Sequence, residues 1–372
     1  MKILLITHDL APGGAERLAV DLSNELAKSH EVHLLSVLDD SRGESSFYRP
    51  FISEAVIYTC AREKKGFSIR KIMNLCRIVR EISPDIVHFH GVLLVFYFIL
   101  PILFFRKPGY IETLHSRADI VFTPSRLPFL SRLIYKYRLV LLCTISDDNR
   151  KSLEKQFNIT DPVLIYNGRA RPEKTRQYFD VKNEIERLKK SSDDTVFLHV
   201  GRCFGAKNQK LLISAFNDLV GLGHSCILVV AGPGFETAQG RELKKIANPE
   251  NIFFLGPKTN ISDYFLCSDA FCLSSLYEGM PITLIEAFAC GCVPVSTPVS
   301  GAVDLISDGE TGFISGDFSK ASYLNALIRY MNSKNDIPRS RLIQLFNDKL
   351  TIEKCAGHYA DLYKSRVTSV SY

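Results

Sequence analysis

The sequence predicts an α/β protein made of two Rossmann-like doubly wound domains facing across a cleft. Three observations carry this expectation. Short apolar runs alternate with helix-period segments, no series of hairpin turns intervenes, and the alternation restarts once after a charged stretch near the middle of the chain. With 372 residues, 46% apolar and 23% charged, there is material for two cores.

KILLIT reads as the first strand and leads through Gly13 and Gly14 into AERLAVDLSNELAKS, where Leu18, Leu22 and Leu26 recur at the four-residue spacing of one helix face. EVHLLSV is the next strand. SIRKIMNLCRIVREI is a basic amphipathic helix, punctuated by Ser83-Pro84. DIVHFH and VLLCTIS are strands, and the second feeds the helix DDNRKSLEKQF with Ser146 as its N-cap. VLIYNG closes the first half. The longest apolar run, VLLVFYFILPILFF from Val92 to Phe105, falls short of the roughly 20 residues that span a bilayer and contains Pro101, so a buried or interfacial helix is expected.

Residues 169–194 are charged, hold one polar helix and read as a linker. The second half runs TVFLHVG, NQKLLISAFNDLV, CILVVAG, ELKKIA, IFFLG, ISDYFLCS, AFCLSS, PITLIEAFAC, VPVST and GFIS. The expected domains are residues 1–168 and 195–350, with a last helix, 351–368, packing back on the first.

The formal charge of +6 is too small for this length to argue a nucleic-acid partner. Ten scattered cysteines without a C-x-x-C pair read as reduced, buried residues, and MKILLITHDL is too short for a signal segment, so a cytoplasmic protein is expected.

Three loops at strand ends are chemically loaded: APGGAER, HVGRCFGAKNQ and EGMPITLIEAFACGCVPVST. In the last, Pro281 suits the first helical position and Gly279 permits close approach, so a helix is expected from about Pro281, its free amides forming an anion site. Glu278 precedes that helix and Glu286 lies inside it. Carboxylates accept paired hydrogen bonds from adjacent hydroxyls, so a phosphate flanked by two polyols, the shape of a nucleotide sugar, suits the pattern. From spacing alone, a loop Glu plus a Glu paired with a cation stands slightly ahead. Arg202 and Lys207 change the balance: two cations just past a strand end can neutralise a leaving diphosphate without a metal.

His88 and His90 share one strand face and could hold a metal, but no third ligand stands at a telling spacing, and histidines lining the cleft are expected instead. GPGFETAQG departs from a dinucleotide fingerprint at Thr237 and reads as a turn.

The succession PGGAER, PDIVHFHG, TLHS, TISD, VLIYNG, HVGRCFGAKNQ, VVAGPG, FLGP, SSLYEGMPITLIEAFACGCVPV and DGETGFI resembles the retaining glycosyltransferases of family 4, of GT-B fold, over about residues 1 to 316. Its most specific piece is Glu-x7-Glu with the Glu-Gly-x-Pro start, matched by Glu278, Gly279, Pro281 and Glu286. The resemblance implies catalytic roles for Arg202, Lys207, Glu278 and His115. Arg202 and Lys207 would bind the diphosphate, Glu278 would face the donor sugar, and His115 would lie near the acceptor or donor sugar. It implies that Glu286 holds the ribose hydroxyls and that Gly13 and Gly14 let the first domain close on the donor phosphates. Gly256, Pro257, Gly279, Met280, Pro281 and Ile282 would complete the donor site.

The implied reaction is retaining transfer of a hexose or N-acetylhexosamine from a nucleotide-diphosphate sugar, UDP rather than GDP. The implied acceptor is a lipid-linked glycan in cell-surface polysaccharide or lipopolysaccharide synthesis. No cofactor, metal or nucleic acid is expected. Arg169 departs from the acidic residue the family often has after NG, so no role is carried to that loop. The alternatives are a nucleotide-sugar epimerase or another GT-B enzyme without a glycan acceptor, and a nucleotide-binding protein or a hydride-transferring dehydrogenase on Rossmann-like domains; the missing GxGxxG after the first strand counts against the dehydrogenase. Two basic segments, Ala61 to Arg80 with seven Lys or Arg against one Glu and Ser125 to Arg138 with four and no acid, predict peripheral contact with the inner face of the cell membrane.

Overall fold

The computed structural model describes residues 1–39, 43–91, 94–105, 107–121, 133–157 and 162–370. The chain forms two compact units, one of Met1–Ala170 joined by the chain from Leu350 onward, the other of Arg171–Lys349.

The first unit holds a parallel sheet of β1 (Lys2–Thr7), β2 (Glu31–Leu38), β3 (Ile57–Glu63), β4 (Ile86–Phe89), β5 (Gly109–Leu114), β6 (Leu141–Thr144) and β7 (Val163–Leu164), in the order β3-β2-β1-β4-β5-β6-β7. Helices cover both faces, which is why Ile3 to Ile6 read as an unbroken apolar run and are all buried. The strand order reverses between β1 and β4, so loops leaving their carboxyl ends diverge and open a crevice there. The second unit repeats the plan with β8 (Thr195–Val200), β9 (Cys226–Ala231), β10 (Ile252–Gly256), β11 (Ala270–Leu273), β12 (Val293–Ser296) and β13 (Phe313–Ile314). Their order is β10-β9-β8-β11-β12-β13, with the reversal between β8 and β11. The α/β, doubly wound expectation is borne out.

Local chemistry sets the helix ends. Ser68 Oγ accepts from the Lys71 amide at the start of the helix Ile69–Ile82, and Ser83 ends it in the left-handed region just before Pro84. Ser146 Oγ accepts from the Asn149 amide at 3.3 Å, ahead of the helix Asp147–Phe157. The VLIYNG run yields only the two residues of β7, at the sheet edge. The long apolar run becomes a 3-10 turn, Leu94–Phe98, and the short helix Ile99–Phe104, with Val92 and Leu93 outside the described residues. Pro101 sits in the first turn of that helix, where its missing N–H costs nothing. Phe98 and Ile102 enter the core while Leu103 and Phe104 face solvent. No helix among the described residues is long and apolar enough to cross a membrane.

Within residues 169–194, the helix Tyr178–Leu188 is built into the second unit. Val181 and Ile185 are buried, Tyr264 donates to Glu184 Oε2 at 2.7 Å, and Asp263 accepts from the Thr175 amide at 2.9 Å. The last helix, Ile352–Val370, belongs to the first unit. Ile352, Cys355, Ala356, Tyr359 and Tyr363 pack in a core with Ile86, Ile111 and Cys143. Arg169 has a structural task here: its guanidinium lies 2.6 Å from the buried carboxylate of Asp21, which also takes Arg17 at 3.1 Å, and its amide donates to the Leu350 carbonyl. Inside β5, Glu112 is fully buried. Tyr135 donates to its Oε2 at 2.6 Å, Oε1 has no partner, and burial pushes the carboxyl up to about 7 against that hydrogen bond.

Candidate functional site

In the second unit the loops leaving β8 and β11, residues 201–208 and 274–281, flank the point where strand order reverses. Two glycines let the first of them bend tightly. Gly232 at the end of β9 has φ +144°, and a Cβ there would lie 2.1 Å from the Gly201 carbonyl oxygen, so only glycine admits the approach. The two loops are then stitched together: the Leu276 amide donates to the Ala206 carbonyl, and Ser274 Oγ donates to the Lys207 carbonyl, both at 2.8 Å.

That stitching places Lys207 Nζ 2.6 Å from Glu278 Oε1, and the same carboxylate oxygen accepts from Ser275 Oγ at 2.6 Å. The pair is partly shielded from water, Lys207 more exposed than Glu278. Beneath it, His199 is fully buried and its Nδ1 meets the Cys272 carbonyl at 2.9 Å. A carbonyl only accepts, so Nδ1 carries the proton, and Nε2 accepts from Gln209 Nε2 at 3.4 Å. The same Gln209 amide donates to the Arg202 carbonyl at 2.8 Å, fixing the loop that carries the exposed Arg202 side chain. Burial, with a smaller push from the Lys207 charge, lowers His199 to about 4, so it is neutral at physiological pH.

The helix after the second loop is Ile282–Cys290. Sequence places Pro281 at its first helical position, but Pro281 is the N-cap. The ring fixes φ at −66° while ψ stays extended at 116°, and its carbonyl accepts the first helical bonds from Leu284 and Ile285. The amides of Ile282 and Thr283 therefore have no acceptor inside the helix. Gly301, at φ +73°, presses against this corner. A Cβ there would lie 2.7 Å from both the Gly279 carbonyl and Met280 Cα. Glu286 sits in the second turn, 7% exposed, on a helix whose Leu284, Ile285, Ala287 and Phe288 are all core.

One loop pair thus gathers Arg202, Lys207, Glu278, Gly279, Met280, Pro281 and Ile282, with Glu286 behind them. Gly256 and Pro257 lie further along the same edge, at the end of β10, tied in by the Gly232 amide donating to the Gly256 carbonyl at 2.9 Å. The supporting residues Ser274, Ser275, His199 and Gln209 escape sequence reasoning. Only Ser275, three residues before Glu278, leaves a local signal.

Gly13, Gly14 and His115 lie in the first unit. Gly13 is the N-cap of the helix Gly14–Leu26, and the Glu16 side chain folds back so closely that a Cβ on Gly13 would meet its carboxylate at 2.1 Å. An anion approaching this helix end meets Glu16 first. His115, at the end of β5, stands 3.2 Å from His90 Nδ1. His90 Nε2 is 3.2 Å from His88 Nδ1, which Tyr363 OH meets at 2.7 Å. His88 Nε2 meets Thr113 Oγ1 at 2.8 Å, and Thr113 meets Tyr359 OH at 2.9 Å. His88 and His90 are buried under the last helix rather than lining a crevice, because these hydrogen bonds satisfy ring nitrogens that would otherwise need water. Burial lowers all three, His88 to about 3 and His115 to about 4, so the chain of rings is neutral. Among the described residues no three His, Cys, Asp or Glu side chains converge as metal ligands.

Residues 12–169 match the family described as Glycosyltransferase Family 4, and residues 180–344 the one described as Glycosyl transferases group 1. Among curated relatives, the chain is 28% identical over 350 residues, 90% of each chain, to the Campylobacter jejuni GalNAc-alpha-(1->4)-GalNAc-alpha-(1->3)-diNAcBac-PP-undecaprenol alpha-1,4-N-acetyl-D-galactosaminyltransferase. It is 24% identical over 323 residues, 79% of this chain and 80% of the relative, to the Escherichia coli UDP-Gal:alpha-D-GlcNAc-diphosphoundecaprenol alpha-1,3-galactosyltransferase. Among solved structures, Anabaena HepE in complex with UDP and glucose superposes with a TM-score of 0.78 at 18% identity, covering 98% of this chain and 100% of that one. A Rickettsia africae glycosyltransferase does so with 0.82 at 16% identity, covering 98% of each.

Proposed function

The chain belongs to the family 4-like glycosyltransferases of GT-B fold, and on that premise we propose that it moves a hexose or N-acetylhexosamine from a UDP-sugar to a lipid-linked glycan with retention of configuration. The observation that carries the site assignment is the Lys207–Glu278 pair, set at a strand-order reversal beside a helix N-terminus with Glu286 behind it. Relatives named for diphosphoundecaprenol-linked substrates and a neighbour that binds UDP support the acceptor and donor classes.

Breaking the anomeric bond builds positive charge on the sugar ring and negative charge on the departing phosphate. Arg202, Lys207 and the free amides of Ile282 and Thr283 take up the negative charge in this reading, so no metal is needed. Glu286 accepts from the ribose diol. Glu278, anchored by Lys207 and Ser275, presents its second oxygen to the donor sugar. In the first unit, neutral His115 is a hydrogen-bonding partner for an acceptor or donor sugar. The acceptor hydroxyl attacks from the face the phosphate leaves, and its proton passes to that phosphate, which retains configuration without a protein nucleophile. The basic first-unit segment Ala61 to Arg80 holds the enzyme on an anionic leaflet; most of its companion, Ser125 to Arg138, lies outside the described residues.

Incubation with UDP-sugars and a polyprenyl-diphosphate-linked glycan, with and without EDTA, tests this. An α-linked product from an α-linked donor, formed equally in EDTA, is expected. Strict dependence on added divalent metal, an inverted product, or epimerised donor without transfer overturns the corresponding part.

A further inference from the structure

In the second unit a cavity of about 450 Å3 opens at the amino ends of β8, β11 and β12, walled by Lys189, Thr195, Asp269, Tyr330, Lys334 and Arg339. It lies on the sheet edge opposite the loops that carry Lys207 and Glu278. β8 is six residues long, so about 20 Å separate the two edges.

Tyr330 is the informative wall residue. It belongs to the helix Lys320–Ser333, is 1% exposed, and meets Phe197 and Phe313 edge-on at 5.2 and 6.0 Å between ring centres. Those contacts keep the ring in the core, so the hydroxyl is the end that reaches the cavity. Burial raises its pKa, the Asp269 carboxylate adds to that and the Arg339 guanidinium opposes it, as expected of a hydroxyl standing among the cavity's charges. The buried hydroxyls of Tyr264 and Tyr323 in the same unit donate to Glu184 and to the Val295 carbonyl. Among the described residues the Tyr330 hydroxyl has no such partner, although a buried phenol ordinarily finds one.

The cations around it also keep free donors. Lys334 Nζ donates to Thr195 Oγ1 at 2.8 Å, and among the described residues no carboxylate pairs with it, so two of its three N–H groups remain. Arg339 Nη2 donates to the Ser268 carbonyl at 2.6 Å and to Asp269 Oδ1 at 3.1 Å, leaving Nε and Nη1. A Cβ on Gly291, at φ +72°, would lie 2.8 Å from Arg339 Cβ, so the glycine that ends the helix Ile282–Cys290 also seats this arginine. The acids of the wall are already supplied. Asp269 Oδ2 accepts from the Val196 amide at 2.9 Å, and Asp194 accepts from the amides of Lys190 and Ser191 and from Ser225 Oγ. The surplus is of donors, and donors on cations suit an anion rich in acceptor oxygens. At the rim, exposed Asp193 and Asn335 offer oxygens to hydroxyl groups.

We propose that this cavity is a second small-molecule site that binds a hydroxyl-bearing phosphate ester of sugar-phosphate size. Its phosphate lies on Lys334, Arg339 and the Tyr330 hydroxyl, and its hydroxyls lie at Asp193 and Asn335.

Calorimetric titration of the full chain with glucose 6-phosphate, glucose and inorganic phosphate, each with and without saturating UDP, tests it. Glucose 6-phosphate should bind alike in both conditions and more tightly than inorganic phosphate, and glucose should not bind. Lys334→Met should weaken binding about tenfold or more, and Tyr330→Phe, which keeps the ring in its core contacts, about threefold or more. Lys334→Arg should retain affinity within about threefold, which separates loss of the charge from loss of the fold. Thermal stabilisation by UDP should be unchanged in all three variants. A wild-type protein that does not bind glucose 6-phosphate, or binding that Lys334→Met and Tyr330→Phe leave intact, overturns the site. Binding that disappears when UDP is present assigns the sugar phosphate to the donor loops and overturns it too. Inorganic phosphate bound as tightly as glucose 6-phosphate overturns the contacts to the hydroxyls.

Discussion

Lys207 Nζ and Glu278 Oε1 lie 2.6 Å apart although 71 residues separate them in the chain. The pair locks the two loops at the reversal between β8 and β11 into one piece. The lysine keeps further donors and the carboxylate a second oxygen, which the proposed reading gives to a phosphate and a sugar hydroxyl.

Because each partner orients the other, Lys207→Ala and Glu278→Gln are expected to be non-additive. Each single change should lower kcat on the order of a hundredfold, and the double change should cost clearly less than the product of the two. Nucleosides lacking phosphate should bind Lys207→Ala as they bind the parent. A strictly multiplicative double mutant would mean that the ion pair has no bearing on turnover.

Glu286 is buried on a core helix, so its role is readable through a conservative change. Glu286→Gln should weaken UDP binding on the order of ten to a hundredfold by calorimetry while leaving the thermal midpoint close to the parent's. Undiminished affinity would remove Glu286 from the donor site.

Stability should rise from about pH 5 to 6.5. His88, His90 and His115 are depressed from 6.5, so their contribution is complete above that value and is lost as protons force their way into the fold in acid. Glu112 works in the opposite sense: raised from 4.5 to about 7, it contributes below 4.5 and that contribution is lost as pH climbs through 7. Three groups outweigh one. Thermal unfolding at a series of pH values should show the rise, and Glu112→Gln should steepen it by removing the opposing loss between pH 4.5 and 7. A midpoint that falls between pH 5 and 6.5 would contradict the buried, neutral histidines.

At the end of β9, Gly232→Ala combines a backbone angle that alanine resists with a 2.1 Å approach to the Gly201 carbonyl. A loss of about 1–3 kcal/mol from the angle alone is expected, and more from the clash. The loop bearing Arg202 must also shift, so UDP affinity should fall with stability. Unaltered denaturant midpoints and affinity would show that the loop yields freely.

The doubly wound plan was legible because buried parallel strands read as unbroken apolar runs and their crossovers carry helical spacing, as KILLIT and AERLAVDLSNELAKS do. Less was legible where neighbours decide. β7 is cut to two residues at a sheet edge, and Pro281 becomes a cap because its ψ, unlike its φ, is free to be set by the turn. The Lys207–Glu278 contact, the His199–Gln209 support beneath Arg202 and the burial of His88 under Tyr363 join residues from distant segments. No local period records such meetings.

The helix Ile352–Val370 closes the first unit, whereas the second is one uninterrupted stretch from Arg171 to Lys349. Vectorial synthesis therefore inverts the order of completion. A ribosome delivers every strand of the first sheet before any of the second, yet the second unit can finish while the first still lacks Tyr359 and Tyr363. Until those side chains emerge, His88 Nδ1 lacks the Tyr363 hydroxyl, Thr113 lacks the Tyr359 hydroxyl, and the apolar surface around Ile86 and Ile111 stays open, a nascent state suited to chaperone capture. Stop codons placed between Leu350 and Tyr359 should accordingly yield chains whose first unit is protease-sensitive and whose second unit is intact.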